Sequence, residues 1–200
     1  MKHIGIYSGS FNPVHNGHIA LADYIRRQCG LDEVWLMVSP NNPLKAASSL
    51  MDEQIRLQLV QTALSGHTGL RASDFEFSLP HPSYTVNTLR ALSLHYPEYR
   101  FSLIIGSDNM ALFDRWREWE YIYTHYPVIV YPRKGDDLSA LRQHYPKMQV
   151  LAEAPLFPYS STEIRQRMQA GQSLAGMVPP AVARRLSELF PQYDLPAPAL

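Results

Sequence analysis

The chain carries a single cysteine, Cys29, so no disulfide framework can staple it and its stability has to come from a packed core. No run of eighteen apolar residues occurs, which excludes a membrane-spanning helix. Neither charge is in excess, because eighteen Lys and Arg offset eighteen Asp and Glu. The broad basic surface that holds nucleic acid irrespective of its sequence is therefore missing. There is no internal repeat, no low-complexity tract and no linker long enough to divide the chain. The first residues, MKHIGIY, lack the charged leader and apolar segment of a secretory signal. These absences set the expectation of a cytoplasmic protein with neither a membrane nor a nucleic acid as partner. Two hundred residues, 46% of them apolar, suffice for one domain with a substantial core.

What is present concentrates in GIYSGSFNPVHNGH, Gly5 to His18. Ile4, Ile6 and Tyr7 read as a buried strand, while Ile19, Leu21, Ala22, Ile25 and Cys29 recur at helical spacing with a buried thiol at the end. Residues 8–17 thus form a strand-to-helix loop. In an open α/β sheet such a loop borders the crevice beyond the strand ends, where a helix N-terminus turns N–H groups and positive potential toward an anion. His15 and His18, three residues apart, share one face and can reach one point. The macrodipole disfavours donors at that end, so paired imidazoles suggest an anion between them. A packed histidine beside a turn histidine, or a metal pair, are the competing readings. A zinc site would need three or four ligands, and no cysteine cluster or HExxH motif accompanies the two rings.

Beyond this loop the pattern alternates. Residues 33–38 read as a strand, Ile55, Leu59, Val60, Ala63 and Leu64 as a helical stripe, and residues 70–77 as a third strand. Val86, Leu89 and Leu92 form a helix for which Ser83 or Thr85 is a natural N-cap. Residues 101–105, FSLII, are a continuous apolar run suited to a strand buried on both faces. The run ends at Gly106 and Asp108, whose carboxylate can accept ribose hydroxyls or cap the next helix. Trp116, Trp119 and Tyr123 share one helical face. Residues 128–131 make another strand, followed by Arg133, which meets either a ligand anion or solvent. A weak helix at 138–144 and a short strand at 149–151 come next. Ser160 and Glu163 form a capping box opening a helix that stops near Gly171. Arg165 and Arg167 then sit near a positive helix end, an arrangement that favours a bound anion. Pro180 opens a final helix that Pro191 closes. The expected fold is α/β, a doubly wound parallel sheet. Residues 1–200 make one domain, with a Rossmann-like core over 1–152, a helical C-terminal part over 153–190 and a tail over 191–200.

GSFNPVHNGH resembles the (T/S)-F-(D/N)-P-x-H-x-G-H motif of a nucleotidyltransferase family, matching at Ser10, Phe11, Asn12, Pro13, His15, Gly17 and His18. Further matches follow in order: Pro40, Pro43 and Lys45 with a PxxPHK segment, SYTVNTL, GSDN, Trp116, and Ser160-Ser161-Thr162-Glu163-Ile164-Arg165 with SSTxIR. Leu44 stands where the family has histidine, and Tyr159 where it has an aliphatic residue. SYT and Trp116 favour the nicotinate-nucleotide adenylyltransferase branch. The resemblance implies adenylyl transfer from ATP, with Mg²⁺ alongside, to nicotinate mononucleotide by in-line attack without a covalent intermediate. It also implies His15, His18 and Arg165 as catalytic residues, and Gly9, Ser10, Phe11, Lys45, Gly106, Asp108, Ser160, Ser161 and Thr162 about the ATP. The mononucleotide falls to Ser10, Asn12, Lys45, Tyr84, Thr85, Trp116 and Arg133. No protein-held metal is implied, and assembly with further copies of the chain stays open. Pantetheine-phosphate and nicotinamide-nucleotide adenylyltransferase are the enzymatic alternatives. An ATP-binding regulator is the non-enzymatic one.

Overall fold

Six parallel strands form one sheet in the order β3-β2-β1-β4-β5-β6, so the chain winds outward from β1 in one direction and returns to wind outward in the other. The strands are β1 (Lys2–Gly9), β2 (Glu33–Val38), β3 (Leu70–Ser73), β4 (Tyr99–Gly106), β5 (Val128–Tyr131) and β6 (Gln149–Val150). The helices are α1 (Asn16–Gln28), α2 (Glu53–Ala63), α3 (Thr85–His95), α4 (Ser107–Met110), α5 (Trp119–His125), α6 (Leu138–His144), α7 (Ser161–Gln169) and α8 (Pro180–Leu189). The computed structural model describes residues 1–40, 50–133 and 138–196. None of its helices is long and apolar enough to cross a membrane.

Strand alternation sorts side chains into a core on each face of the sheet. Val34, Leu36, Val38, Tyr7 and Ile104 pack with Ile19, Ala22 and Ile25 of α1, Leu59 and Val60 of α2, Ile164 of α7, and Val182 and Leu186 of α8. Ile4, Ile6, Trp35, Met37, Phe101, Leu103 and Ile105 face the other way, onto Val86, Leu89 and Leu92 of α3 and Ile122 of α5. Both faces are thus covered, as an all-parallel sheet requires. β1 pairs with β2 and with β4 in parallel register, which places the change of winding direction, and a crevice, at the carboxyl ends of β1 and β4.

Four local expectations are corrected. The third strand stops at Ser73, because the Ser73 hydroxyl accepts from the Phe75 N–H and residues 75–78 close into a 3₁₀ turn. Cys29 is the C-cap of α1 and only half-buried, and burial still raises its thiol pKa. The N-cap of α3 is Tyr84 without a side-chain bond, so neither Ser83 nor Thr85 serves as its cap. Trp116 lies outside α5, because Glu118 takes a left-handed φ of 52° and restarts the chain direction before Trp119. Trp119 and Tyr123 do pack inward, against Phe113 and Tyr145.

Candidate active site

A cleft of about 1280 Å³ opens at the β1–β4 divide. The loop after β1 supplies its central wall, and Phe11 is the residue that shapes that loop. Its φ of 44° is left-handed, a conformation costing a non-glycine residue of order 1–3 kcal/mol. The buried ring is held edge-on against Tyr7, with centroids 5.6 Å apart. A Cβ on Gly9 would come 3.0 Å from that ring and press it outward, so glycine leaves the room into which it folds back. The Asn12–Pro13 peptide bond is cis. Asn12 Oδ1 accepts from the Met51 N–H at 2.9 Å, which ties the loop to the start of α2.

The loop ends in an unusual helix cap. His15 is the N-cap of α1, and its Nδ1 accepts from the His18 N–H at 3.3 Å, while His18 Nδ1 accepts from the His15 N–H at 3.2 Å. Two imidazoles therefore do the work that serine and glutamate do in an ordinary capping box. Their rings stack with centroids 3.6 Å apart. Because each Nδ1 accepts a backbone N–H, the Nε2 edge of each ring is the one turned away from the cap. Burial, with Arg133 as the second cause, lowers the His15 pKa from 6.5 to about 4, so this ring is neutral at physiological pH. The rings hold the helix and line the cleft at once.

The helical C-terminal part reaches the same loop. Ser161 donates its hydroxyl to the Pro13 carbonyl at 3.0 Å, and Arg165 Nη1 donates to the Asn12 carbonyl at 2.8 Å. Asn16 adds bonds from its backbone N–H to the Met177 carbonyl and from its side chain to the Gly176 carbonyl, both 2.8 Å. The N-terminus of α7 is in this way seated beside the histidine cap. Ser160 accepts from the Glu163 N–H, but Glu163 turns to Arg167 instead of completing a capping box. Arg167 falls in the last turn of α7, where the macrodipole favours it, and needs no anion.

Asp108 follows β4 and lines the same cleft. Gly106, not Asp108, is the N-cap of α4, and the half-exposed carboxylate lies 3.7 Å from Arg133 Nε. Arg133 donates to the Tyr131 hydroxyl at 3.3 Å and is anchored through its own N–H on Ser107 Oγ. A Cβ on Gly106 would run into the Asp108 carboxylate as it stands and crowd Arg133 and Tyr131, so the present pairing leans on a bare backbone there. Tyr84, Thr85 and Trp116 line the same cleft.

Gly9, Ser10, Phe11, Asn12, His15, His18, Tyr84, Thr85, Gly106, Asp108, Trp116, Arg133, Ser160, Ser161, Thr162 and Arg165 all line this one cleft. Lys45 and Leu44 lie outside the described residues. Sequence reasoning missed Arg56, which is buried in α2 and donates to the carbonyls of Met51, Ser10, Ser39 and Pro40 at 2.8–3.1 Å. It thereby clamps the ends of β1 and β2 together. It missed Glu76 too, buried with its carboxylate on the Thr88 hydroxyl at 3.0 Å and its pKa raised by burial. Arg115 and Arg117 flank Trp116 at the cleft wall and were also missed.

Among the described residues no three of His, Cys, Asp and Glu converge on a point that could cage a metal ion. Of the cleft carboxylates, Glu76 is held by Thr88 and Glu163 by Arg167, leaving Asp108 half-exposed. That donor set suits a divalent cation arriving on phosphate oxygens with few protein ligands.

The cytidylyltransferase-like family model matches residues 6–167. A probable nicotinate-nucleotide adenylyltransferase of Bacteroides fragilis (strain YCH46) is 49% identical over 190 residues, 95% of this chain and 94% of that one. Another from Flavobacterium johnsoniae is 42% identical over 90% of this chain and 93% of that one. The fold is that of Plasmodium falciparum nicotinic acid mononucleotide adenylyltransferase complexed with NaAD, with a TM-score of 0.81 at 20% identity, covering 98% of this chain and 99% of that one. The chain belongs to the cytidylyltransferase-like family and, within it, to the nicotinate-nucleotide adenylyltransferases.

Proposed function

We propose that this chain transfers the adenylyl group of ATP to nicotinate mononucleotide, releasing pyrophosphate and forming nicotinate adenine dinucleotide, a step of NAD biosynthesis. The observation that carries the reading is the meeting of the histidine cap with Ser161 and Arg165 on the carbonyls of Pro13 and Asn12, in a cleft that Tyr84, Thr85 and Trp116 also line.

A 5′-phosphate oxygen of the mononucleotide attacks the α-phosphorus of ATP as the bond to the β-phosphate oxygen breaks, and the electron pair leaves with pyrophosphate. No side chain needs to form a covalent bond. The chain's contribution is to hold two anions in register and to aim donors at charge that grows in the transition state. In this reading the Nε2–H groups of His15 and His18 face the α- and β-phosphates. Arg165 with the Ser160 and Ser161 hydroxyls takes the pyrophosphate, and Lys45 approaches it as well. Asp108 accepts from the adenosine. Gly9, Ser10, Phe11, Gly106 and Thr162 shape the ATP side. Ser10, Asn12, Tyr84, Thr85, Trp116, Lys45 and Arg133 border the mononucleotide, with its pyridine ring stacked on Trp116. A divalent cation, for which Mg²⁺ is proposed, would neutralise phosphate charge when bound with ATP, and the half-exposed Asp108 is the cleft carboxylate that would hold it. The core over 1–152 and the helical part over 153–190 act as one unit in this scheme.

Pyrophosphate release with ATP and, in turn, nicotinate mononucleotide, nicotinamide mononucleotide and 4′-phosphopantetheine tests the reading. Turnover with the nicotinate form is expected. Turnover with phosphopantetheine alone, or with none of the three, would overturn it.

A further inference from the structure

We infer that Arg56 is a positioning residue for the transfer reaction: from behind the cleft it holds the loop after β1 in the shape that places His18 and Arg165. The inference rests on the function proposed above and adds to it a buried side chain that does not itself line the cleft.

The guanidinium joins three segments of the chain. Arg56 Nη1 donates to the Ser10 carbonyl after β1 and to the Ser39 carbonyl after β2, both at 2.8 Å, and Nη2 donates to the Pro40 carbonyl at 3.1 Å. Nε donates to the Met51 carbonyl at 2.9 Å, just ahead of α2. The planar fork thus meets acceptors with all three of its nitrogens. Met51 passes the hold on, because its own N–H donates to Asn12 Oδ1 at 2.9 Å. Arg56 therefore grips the loop on both sides of Phe11, directly at Ser10 and through Met51 at Asn12.

What lies between the two grips decides the consequence. Phe11 has the left-handed φ of 44°, a conformation that persists only where its surroundings over-determine it. Its ring meets that of His18 edge-on, with centroids 5.0 Å apart. Asn12, the next residue, gives its carbonyl to Arg165 Nη1 at 2.8 Å. A loop relaxed at Phe11 would shift the imidazole and the guanidinium together. Arg56 is 1% exposed, so its effect on the reaction travels through those two side chains. A lysine would keep the charge but not the fork, since its three N–H groups sit on one nitrogen and face four carbonyls on three segments.

The test measures kcat and KM for ATP and for nicotinate mononucleotide in the wild type, Arg56→Lys and Arg56→Met, in the cold. Each kcat is referred to the folded fraction found by urea unfolding of the same sample. Misplacing a reacting group by about 1 Å costs on the order of 10²-fold. Arg56→Met is therefore expected to lose about 10²-fold in kcat per folded molecule, with both KM values within about threefold of the wild type, because contacts elsewhere in the cleft still bind the ground state. Arg56→Lys should recover part of the loss, ending about tenfold below the wild type. A residue that served stability alone would lower the folded fraction and leave kcat per folded molecule unchanged, and that result overturns the inference. So does a loss carried by KM with kcat kept. Where Arg56→Met does not fold, Arg56→Lys decides, and a kcat within about twofold of the wild type overturns the inference. All three results leave the proposed function intact. A wild type that turns over no mononucleotide overturns that function, and the inference with it.

Discussion

His15 makes a quantitative demand on the folded state, because it caps α1 through an unprotonated Nδ1 while buried beside Arg133. Its pKa is lowered from 6.5 to about 4. For a base with a depressed folded-state pKa, the unfolded chain binds the extra proton as pH falls, so stability is complete above 6.5 and is lost on acidification toward 4. Below about 4 the loss levels off near 3 kcal/mol, since each unit is worth about 1.4 kcal/mol. At pH 5 the linkage relation gives a loss of about 2 kcal/mol relative to pH 7.5. The control is His15→Asn, which keeps an N-cap acceptor that does not titrate in this range.

Urea unfolding of both proteins at pH 7.5 and pH 5 isolates the effect, because groups away from residue 15 cancel in the difference between them. The wild type should lose about 2 kcal/mol more than the variant, roughly 1 M in midpoint at an m-value near 2 kcal/mol per M. A difference that stays constant across the two pH values would refute the buried, neutral cap. Such a result would also remove the support for the Nε2–H donors of the proposed mechanism.

Three other outcomes are expected. His18→Ala should lower turnover by roughly 10²- to 10³-fold, the scale of losing one oriented donor to a developing oxyanion; near-normal kcat in steady-state assays would exclude His18 from the chemistry. Arg56→Met removes the donor from four loop carbonyls and should cost about 3–5 kcal/mol of unfolding free energy, whereas a midpoint within error of the wild type would show that those loops hold themselves. Glu76→Gln acts with the opposite pH sign from His15. Burial raises the Glu76 pKa above 4.5, so ionisation costs the wild type stability as pH rises through and beyond 4.5. The Gln variant should gain on the wild type between pH 4 and pH 7.5, and a fixed gap would contradict that origin.

The sheet was legible because its strands are apolar runs separated by helical stripes, and the continuous FSLII segment already requires cover on both faces. The cleft was legible because its loops are built from residues with few structural uses, such as Asn12-Pro13, Asn16-Gly17 and the Ser160-Ser161 pair. Where reading failed, the deciding contact lay across the fold or in a backbone angle. Ser73 ends a strand by accepting from Phe75, although Phe75 and Phe77 continue a strand-like alternation. Glu118 adopts a left-handed φ that no glycine announces, and this takes Trp116 off the helix. Arg56 occupies a helix whose neighbours define an ordinary stripe, and its four acceptors are carbonyls that carry no side-chain signature. Histidine is not among the common N-caps, so the reciprocal imidazole cap could be placed as a pair but not recognised as a cap.

The two ways the cleft is held together divide its assembly. The histidine cap is local, between residues three apart, and needs only α1 to form. The contacts that bring Arg165, Ser161 and Asn16 to their acceptors span 153, 148 and 160 residues. They form only when the C-terminal helices are docked on the sheet through Ile164, Met168, Val182 and Leu186. Arg165 has five N–H donors. One nitrogen donates to the Asn12 carbonyl and another to the Thr162 hydroxyl, which fixes the plane of the guanidinium at the cleft wall. The orientation is therefore set by folding, before any anion arrives. Donors that are already aimed lower a barrier without being reorganised during the reaction. Burial of the α7 and α8 apolar faces is accordingly what positions Ser161 and Arg165, the groups proposed to bind phosphate, and a substitution in that distant core would reach the proposed chemistry through the loop that carries His15 and His18.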